Sequence, residues 1–84
     1  MARSRPIRSM PQLGAEIRRA RSALGLTQAE LAARVDVRQA TISDLETGRS
    51  GVRIDTLLEV LAALRLQLAF EPREGGGPGM GDLF

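Results

Sequence analysis

Cysteine, histidine, tyrosine and tryptophan are all absent from this chain. Without cysteine or histidine there are no disulfides, no thiolate nucleophile, no imidazole base and none of the usual zinc ligands, so neither an enzyme nor a metal or other cofactor is expected. The only aromatics are Phe70 and Phe84. A core must therefore be assembled from Leu, Ile, Val and Ala, which favours helices over strands. No apolar run approaches the ~20 residues that span a bilayer, and the N-terminal segment lacks the apolar stretch of a secretory signal. A cytoplasmic protein with no membrane contact is expected. At 84 residues the chain is one domain at most, too short to bury a large core alone, so a second subunit is expected as well.

What is present is charge, unevenly spread. Residues 1–21 hold six arginines against Glu16, a balance of +5; residues 22–70 come to −1 and residues 71–84 to −2. A basic end suits a polyanion, and a solvated, solubilising tail is the alternative. Residues 1–8 are Arg-rich and aperiodic and are read as a flexible basic arm, with Arg3, Arg5 and Arg8 available to phosphates or an adjacent minor groove.

From Ser9 onward helical signals take over. Ser9 and Gln12 are spaced as a capping box, Pro11 falls in the first turn, and Leu13, Ile17, Ala20 and Leu24 follow at helical spacing before Gly25. A second capping box, Thr27 with Glu30, opens a short helix to Val35 with Leu31, Ala32 and Val35 on one face. Asp36, which tolerates left-handed dihedrals, sits where the chain must turn. A third helix is expected over 39–46 with Ile42 and Leu45 inward and Gly48 as its stop. A fourth is expected over 54–64. There Ile54, Leu57, Leu58, Val60, Leu61 and Leu64 cover roughly 160°, wider than the ~100° one core contact needs, so this helix can face two partners.

The period then changes to two, with Leu66, Leu68 and Phe70 on one side of a strand. A lone strand cannot satisfy its backbone, and its natural mate is the same strand of a second subunit. A frayed extension of the fourth helix is the alternative. Leu58, Leu61, Leu64, Leu66, Leu68 and Phe70 are accordingly expected at a homodimer seam. Residues 9–71 make the domain, and residues 72–84 a Gly-rich tail too poor in apolar residues to order itself. A spacer over 74–81 leads to Leu83 and Phe84, either incidental or an anchor for a partner protein.

Two short helices joined by a tight turn match a helix-turn-helix, whose second helix enters the major groove. The letters sharpen this. GLTQAELAARVDVRQATISDLETG resembles the Cro and phage-repressor family, and the resemblance covers about residues 12–64. It implies an all-α, lambda-repressor-like bundle of four to five helices. It also implies that Gln28 bonds a backbone phosphate and braces Gln39, while Gln39, Ala40 and Ser43 face the groove. The chemistry agrees, since an amide pairs bidentately with adenine N6 and N7 and a methyl packs on thymine. Arg38 suits guanine or phosphate, and Arg49 is grouped with the arm arginines as a phosphate contact. Thr41 stays open between phosphate contact and core cover. Asp44 departs from the polar or basic residue often found there; it is repelled by phosphates unless it accepts from cytosine N4. By the same resemblance Arg21 and Glu46 form an ion pair tying the first helix to the third, and Asp36 stands where the family usually has Gly.

Over residues 9–72 the chain resembles the HipB type of antitoxin, in which a fourth helix and terminal strand follow the helix-turn-helix. That resemblance implies an operator-binding homodimer that neutralises a HipA-like kinase toxin and represses its own operon on double-stranded DNA. A free-standing dimeric repressor without a toxin, and an interaction module that never meets DNA, are the other readings.

Overall fold

Hydroxyl caps decide where the first two helices begin. The computed structural model describes residues 6–49 and 51–73, which hold α1 (Met10–Ala23), α2 (Gln28–Arg34), α3 (Gln39–Thr47) and α4 (Ile54–Ala63). At α1 the Ser9 hydroxyl accepts from the Gln12 backbone N–H at 3.2 Å. The reciprocal bond of the expected box is shifted by one residue, for Gln12 Oε1 accepts from the Arg8 N–H (2.6 Å). At α2 the box is complete: Thr27 Oγ1 accepts from the Glu30 N–H at 3.0 Å, and Glu30 Oε1 accepts from the Thr27 N–H at 2.8 Å. These bonds satisfy amide donors that the helix itself leaves without partners.

All four helices end by one closure. An N–H two or three residues past the helix donates back to a carbonyl five residues earlier, as Leu26 to Arg21, Val37 to Ala32, Arg49 to Asp44 and Leu66 to Leu61, at 2.8–3.1 Å. This closure requires a left-handed residue in between. Gly25 and Gly48 take that role, and so do Asp36 (φ 56°) and Arg65 (φ 62°). Asp36 is where the sequence places the turn between the second and third helices; Arg65 carries no such signal.

The core consists of Ile17, Leu31, Ala32, Ile42, Leu45, Leu57, Val60, Leu61 and Leu64, with Leu13, Ala20, Val35, Val37, Val52 and Ala63 packed around it. It is wholly aliphatic. α3 packs against both α1 and α2, and α4 packs against α2. The α1–α3 crossing is close because Gly14 faces the end of α3: a Cβ there would lie 2.5 Å from the Glu46 carbonyl oxygen and nearer still to that of Leu45. Leu24, expected on the inner face of α1, is exposed beyond its end.

One expectation about the C-terminal part is corrected. Leu61 and Leu64 do not lie on an outer seam; they are buried in the chain's own core, because they share the α4 face of Leu57 and Val60 at helical spacing. The segment 66–73 forms no strand within the single chain, since a strand needs a hydrogen-bonded mate. Nor does it continue α4, which stops at Ala63. Arg3, Arg5, the 74–81 spacer, Leu83 and Phe84 lie outside the described residues.

Gly14→Ala tests the close crossing. In an exposed helix interior this change gains ~1 kcal/mol of helix propensity; here the new methyl collides with α3 backbone, and overpacking costs about 1–3 kcal/mol. Urea unfolding is expected to show a net loss of stability, and a stabilised variant contradicts the tight α1–α3 contact.

Candidate nucleic-acid interface

The exposed side of α3 follows from which residues its core face uses. With Ile42 and Leu45 buried and about 100° of rotation per residue, Ala40, Ser43, Asp44 and Thr47 share the opposite stripe, and Gln39 stands at its edge near the helix start. Arg38 is the N-cap and is exposed, as are Gln39 and Ala40; Ser43 and Thr41 are half-buried. Thr47 Oγ1 donates to the Ser43 carbonyl at 3.0 Å, leaving the stripe to the first three. Exposed donors and acceptors on one face of a short helix are what reading a groove edge requires.

Behind that face lies a connected polar network. The Arg21 guanidinium meets the Glu46 carboxylate through two bonds, Nε to Oε2 (2.5 Å) and Nη2 to Oε1 (3.0 Å). Its Nη1 donates to the Leu26 carbonyl at 2.8 Å, so one side chain of α1 holds α3 and the loop before α2. Gln28 Nε2 donates to Glu46 Oε1 at 3.1 Å, and Gln39 Nε2 donates to Gln28 Oε1 at 3.3 Å. The ion pair is largely dry, with side-chain exposures of 13% for Arg21 and 3% for Glu46. Among the described residues no buried side-chain polar atom lacks a partner.

The network also settles protonation. Burial pushes the Glu46 carboxyl up, but hydrogen bonds from Arg21 and Gln28, with the charges of Arg21 and Arg18, outweigh it and hold the group below its ordinary range. The Glu46 hydrogen bond raises Arg21 in turn.

Other expected residues are less tightly bound. Arg8 is exposed just before α1, its side chain free for an anion while its backbone N–H serves Gln12. Arg49 stands 3.8 Å from Asp44, both well exposed. This loose pair partly offsets the Asp44 carboxylate, and with Thr41, Gly51 and Val52 it lines a small cleft of about 130 Å³ beside α3. The seam residues divide. Leu58, Leu66, Leu68 and Phe70 are 46%, 39%, 51% and 94% exposed, while Leu61 and Leu64 are buried; Ile54, which is not among the expected seam residues, is 67% exposed beside them, so five large apolar side chains face outward from α4 onward.

The contact between Gln28 and Glu46 is absent from the sequence reading. The two residues are 18 apart, and nothing local pairs them; the only sign is that both Gln28 and the Arg21–Glu46 pair lie near the start of α2 once α1 and α3 are crossed.

A family model for helix-turn-helix domains matches residues 17–70. The chain belongs to the helix-turn-helix family. Within it, the antitoxin HipB of Escherichia coli (strain K12) is 31% identical over 72 residues, spanning 86% of this chain and 82% of HipB. A chain of the solved HipA-HipB-O2-O3 complex superposes with a TM-score of 0.77 at 30% identity, over 84% of this chain and 100% of that one. The clp gene regulator ClgR of C. glutamicum superposes with a TM-score of 0.66 at 32% identity, over 79% of this chain and 85% of that one. No helix among the described residues is long and apolar enough to cross a membrane.

Acid unfolding tests the ion pair. Because Glu46 releases its proton more readily folded than unfolded, its contribution is complete above its ordinary value of 4.5 and is lost as the pH falls below that through the folded value. Breaking a buried pair by removing one partner costs about 3–5 kcal/mol. Glu46→Ala is therefore expected to lower stability by that order at pH 7 and by progressively less below pH 4.5; an equal loss at every pH assigns the effect to packing instead.

Proposed function

We propose that the chain is a sequence-specific, operator-binding transcriptional repressor that acts as a homodimer, and that it is the antitoxin of a HipA-like kinase toxin whose operon it helps repress. The observation that carries the DNA-binding reading is Gln39, held at the start of α3 by the Gln28–Glu46–Arg21 network with Arg38, Ala40 and Ser43 displayed beside it. An amide fixed in this way reads a base edge, while Arg8, Arg49 and the arm residues Arg3 and Arg5 supply phosphate charge. The second subunit is proposed to cover Ile54, Leu58, Leu66, Leu68 and Phe70, with the 66–70 segments of two chains pairing as strands. That arrangement sets two α3 helices roughly 34 Å apart on a pseudo-palindrome. Likeness to HipB, solved together with HipA, supports the toxin partner. Likeness to ClgR favours a second reading, a free-standing repressor; titrating the chain by calorimetry with a HipA-like kinase encoded beside it separates the two.

Three measurements test the proposal. Binding to the DNA upstream of its own gene is expected to weaken linearly on a log–log salt plot, as phosphate neutralisation demands. Gln39→Ala is expected to cost about 1–3 kcal/mol on the cognate site and to relax one base pair, whereas neutralising Arg8 or Arg49 weakens all sequences alike and flattens the salt slope; unchanged operator affinity in Gln39→Ala removes α3 from base readout. Leu68→Glu places a charge in the seam and is expected to give monomers by sedimentation with loss of operator binding. A Leu68→Glu dimer refutes the seam.

A further inference from the structure

We infer that Glu46 sets the donor–acceptor sense of the Gln39 amide through Gln28, and so selects adenine over guanine at the base pair that Gln39 faces; this rests on the DNA-binding reading above. A glutamine amide is symmetric in shape, with an oxygen that accepts and a nitrogen that donates, and rotation by 180° exchanges them. In isolation Gln39 has no preference between the two orientations. The network removes that freedom one residue at a time.

Glu46 is a carboxylate held between Arg21 and Gln28, and it can only accept. Gln28 must therefore turn its Nε2 toward Glu46, where it lies 3.1 Å from Oε1. That places Gln28 Oε1 on the other side, toward α3. An oxygen there can only accept, so Gln39 must turn its Nε2 toward it, as the 3.3 Å bond records. One N–H and the carbonyl oxygen of Gln39 then remain for the groove. One donor beside one acceptor complements adenine, whose N7 accepts and whose N6 amine donates; guanine offers two acceptors, N7 and O6, and would leave the Gln39 oxygen against another acceptor. The reversed amide, with its oxygen used inward, presents two N–H donors and fits guanine.

Glu46 is thus a positioning residue whose effect reaches DNA through two side chains without touching it. A family of binding-site variants at the Gln39 base pair reads this directly. Full-length wild-type protein is expected to prefer adenine over guanine there by about 5- to 150-fold, the range of one bidentate pair. Gln28→Ala removes the relay while leaving the Arg21–Glu46 pair intact, and is expected to cut that preference severalfold with Gln39 itself unchanged. Gln28→Lys is the sharper variant. Its ammonium donates to Glu46 and can donate to the Gln39 oxygen but cannot accept, so preference is expected to move toward guanine while the added charge strengthens binding to every duplex. Thermal unfolding of each variant confirms that the comparison is made between folded proteins.

If Gln28→Ala weakens all sites equally and keeps the adenine preference, Gln28 serves only as a phosphate contact and the relay is refuted. Retained adenine preference in Gln28→Lys refutes it as well. Wild-type protein that binds DNA with salt dependence but no preference at any pair overturns base reading by Gln39 and the relay with it. Wild-type protein that binds no duplex at all instead overturns the proposed function.

Discussion

A carboxylate buried inside a small helical bundle is costly unless it is surrounded by donors, and Glu46 is the residue on which this fold concentrates that cost. Its partners come from two other helices: Arg21 from α1 and Gln28 from α2. Satisfying one group therefore fixes three elements at once, and Arg21 adds the loop carbonyl of Leu26 to the set. Aliphatic packing alone is non-directional and tolerates sliding; a bidentate guanidinium bond does not. The position of α3 relative to α1 and α2 is specified by this chemistry, while Ile17, Leu31, Ile42 and Leu45 supply the burial beneath it.

The same crossing explains Gly14. For Arg21 to reach Glu46 in two bonds, α1 must lie close to the end of α3, and Gly14 is where the backbones come nearest. A residue that weakens α1 as an isolated helix strengthens the assembled molecule. Local and tertiary preferences disagree here, and the tertiary one prevails because it serves the one ion pair among the described residues whose side chains are largely shielded from solvent.

Much of the architecture was legible in the sequence because its signals are local. Ser9, Thr27 with Glu30, Gly25, Asp36 and Gly48 each act within a few residues, and the structure puts caps and left-handed turns at them. The pair Arg21 and Glu46 came from family resemblance, not from spacing. What was not legible is non-local. Periodicity on α4 told that both faces are apolar but not which face the chain keeps, and Leu61 and Leu64 went to its own core. Alternation over Leu66–Phe70 describes a preference for strand that one chain has no mate to express. Arg65 in the left-handed region was invisible because arginine has no propensity for it, and closure of α4 imposes it.

The order of packing has a consequence for how the chain is made. The main partner of α1 is not its neighbour α2 but α3, and the contact is completed only near Glu46. A helix as short as α1 is marginal in water by itself. During synthesis α1 and α2 therefore emerge without the element that joins them, and a nascent chain ending before Leu45 holds neither the ion pair nor the crossing at Gly14. The helices cannot be acquired one at a time from the N-terminus; the ribosome must release α3 before any of the bundle is secured.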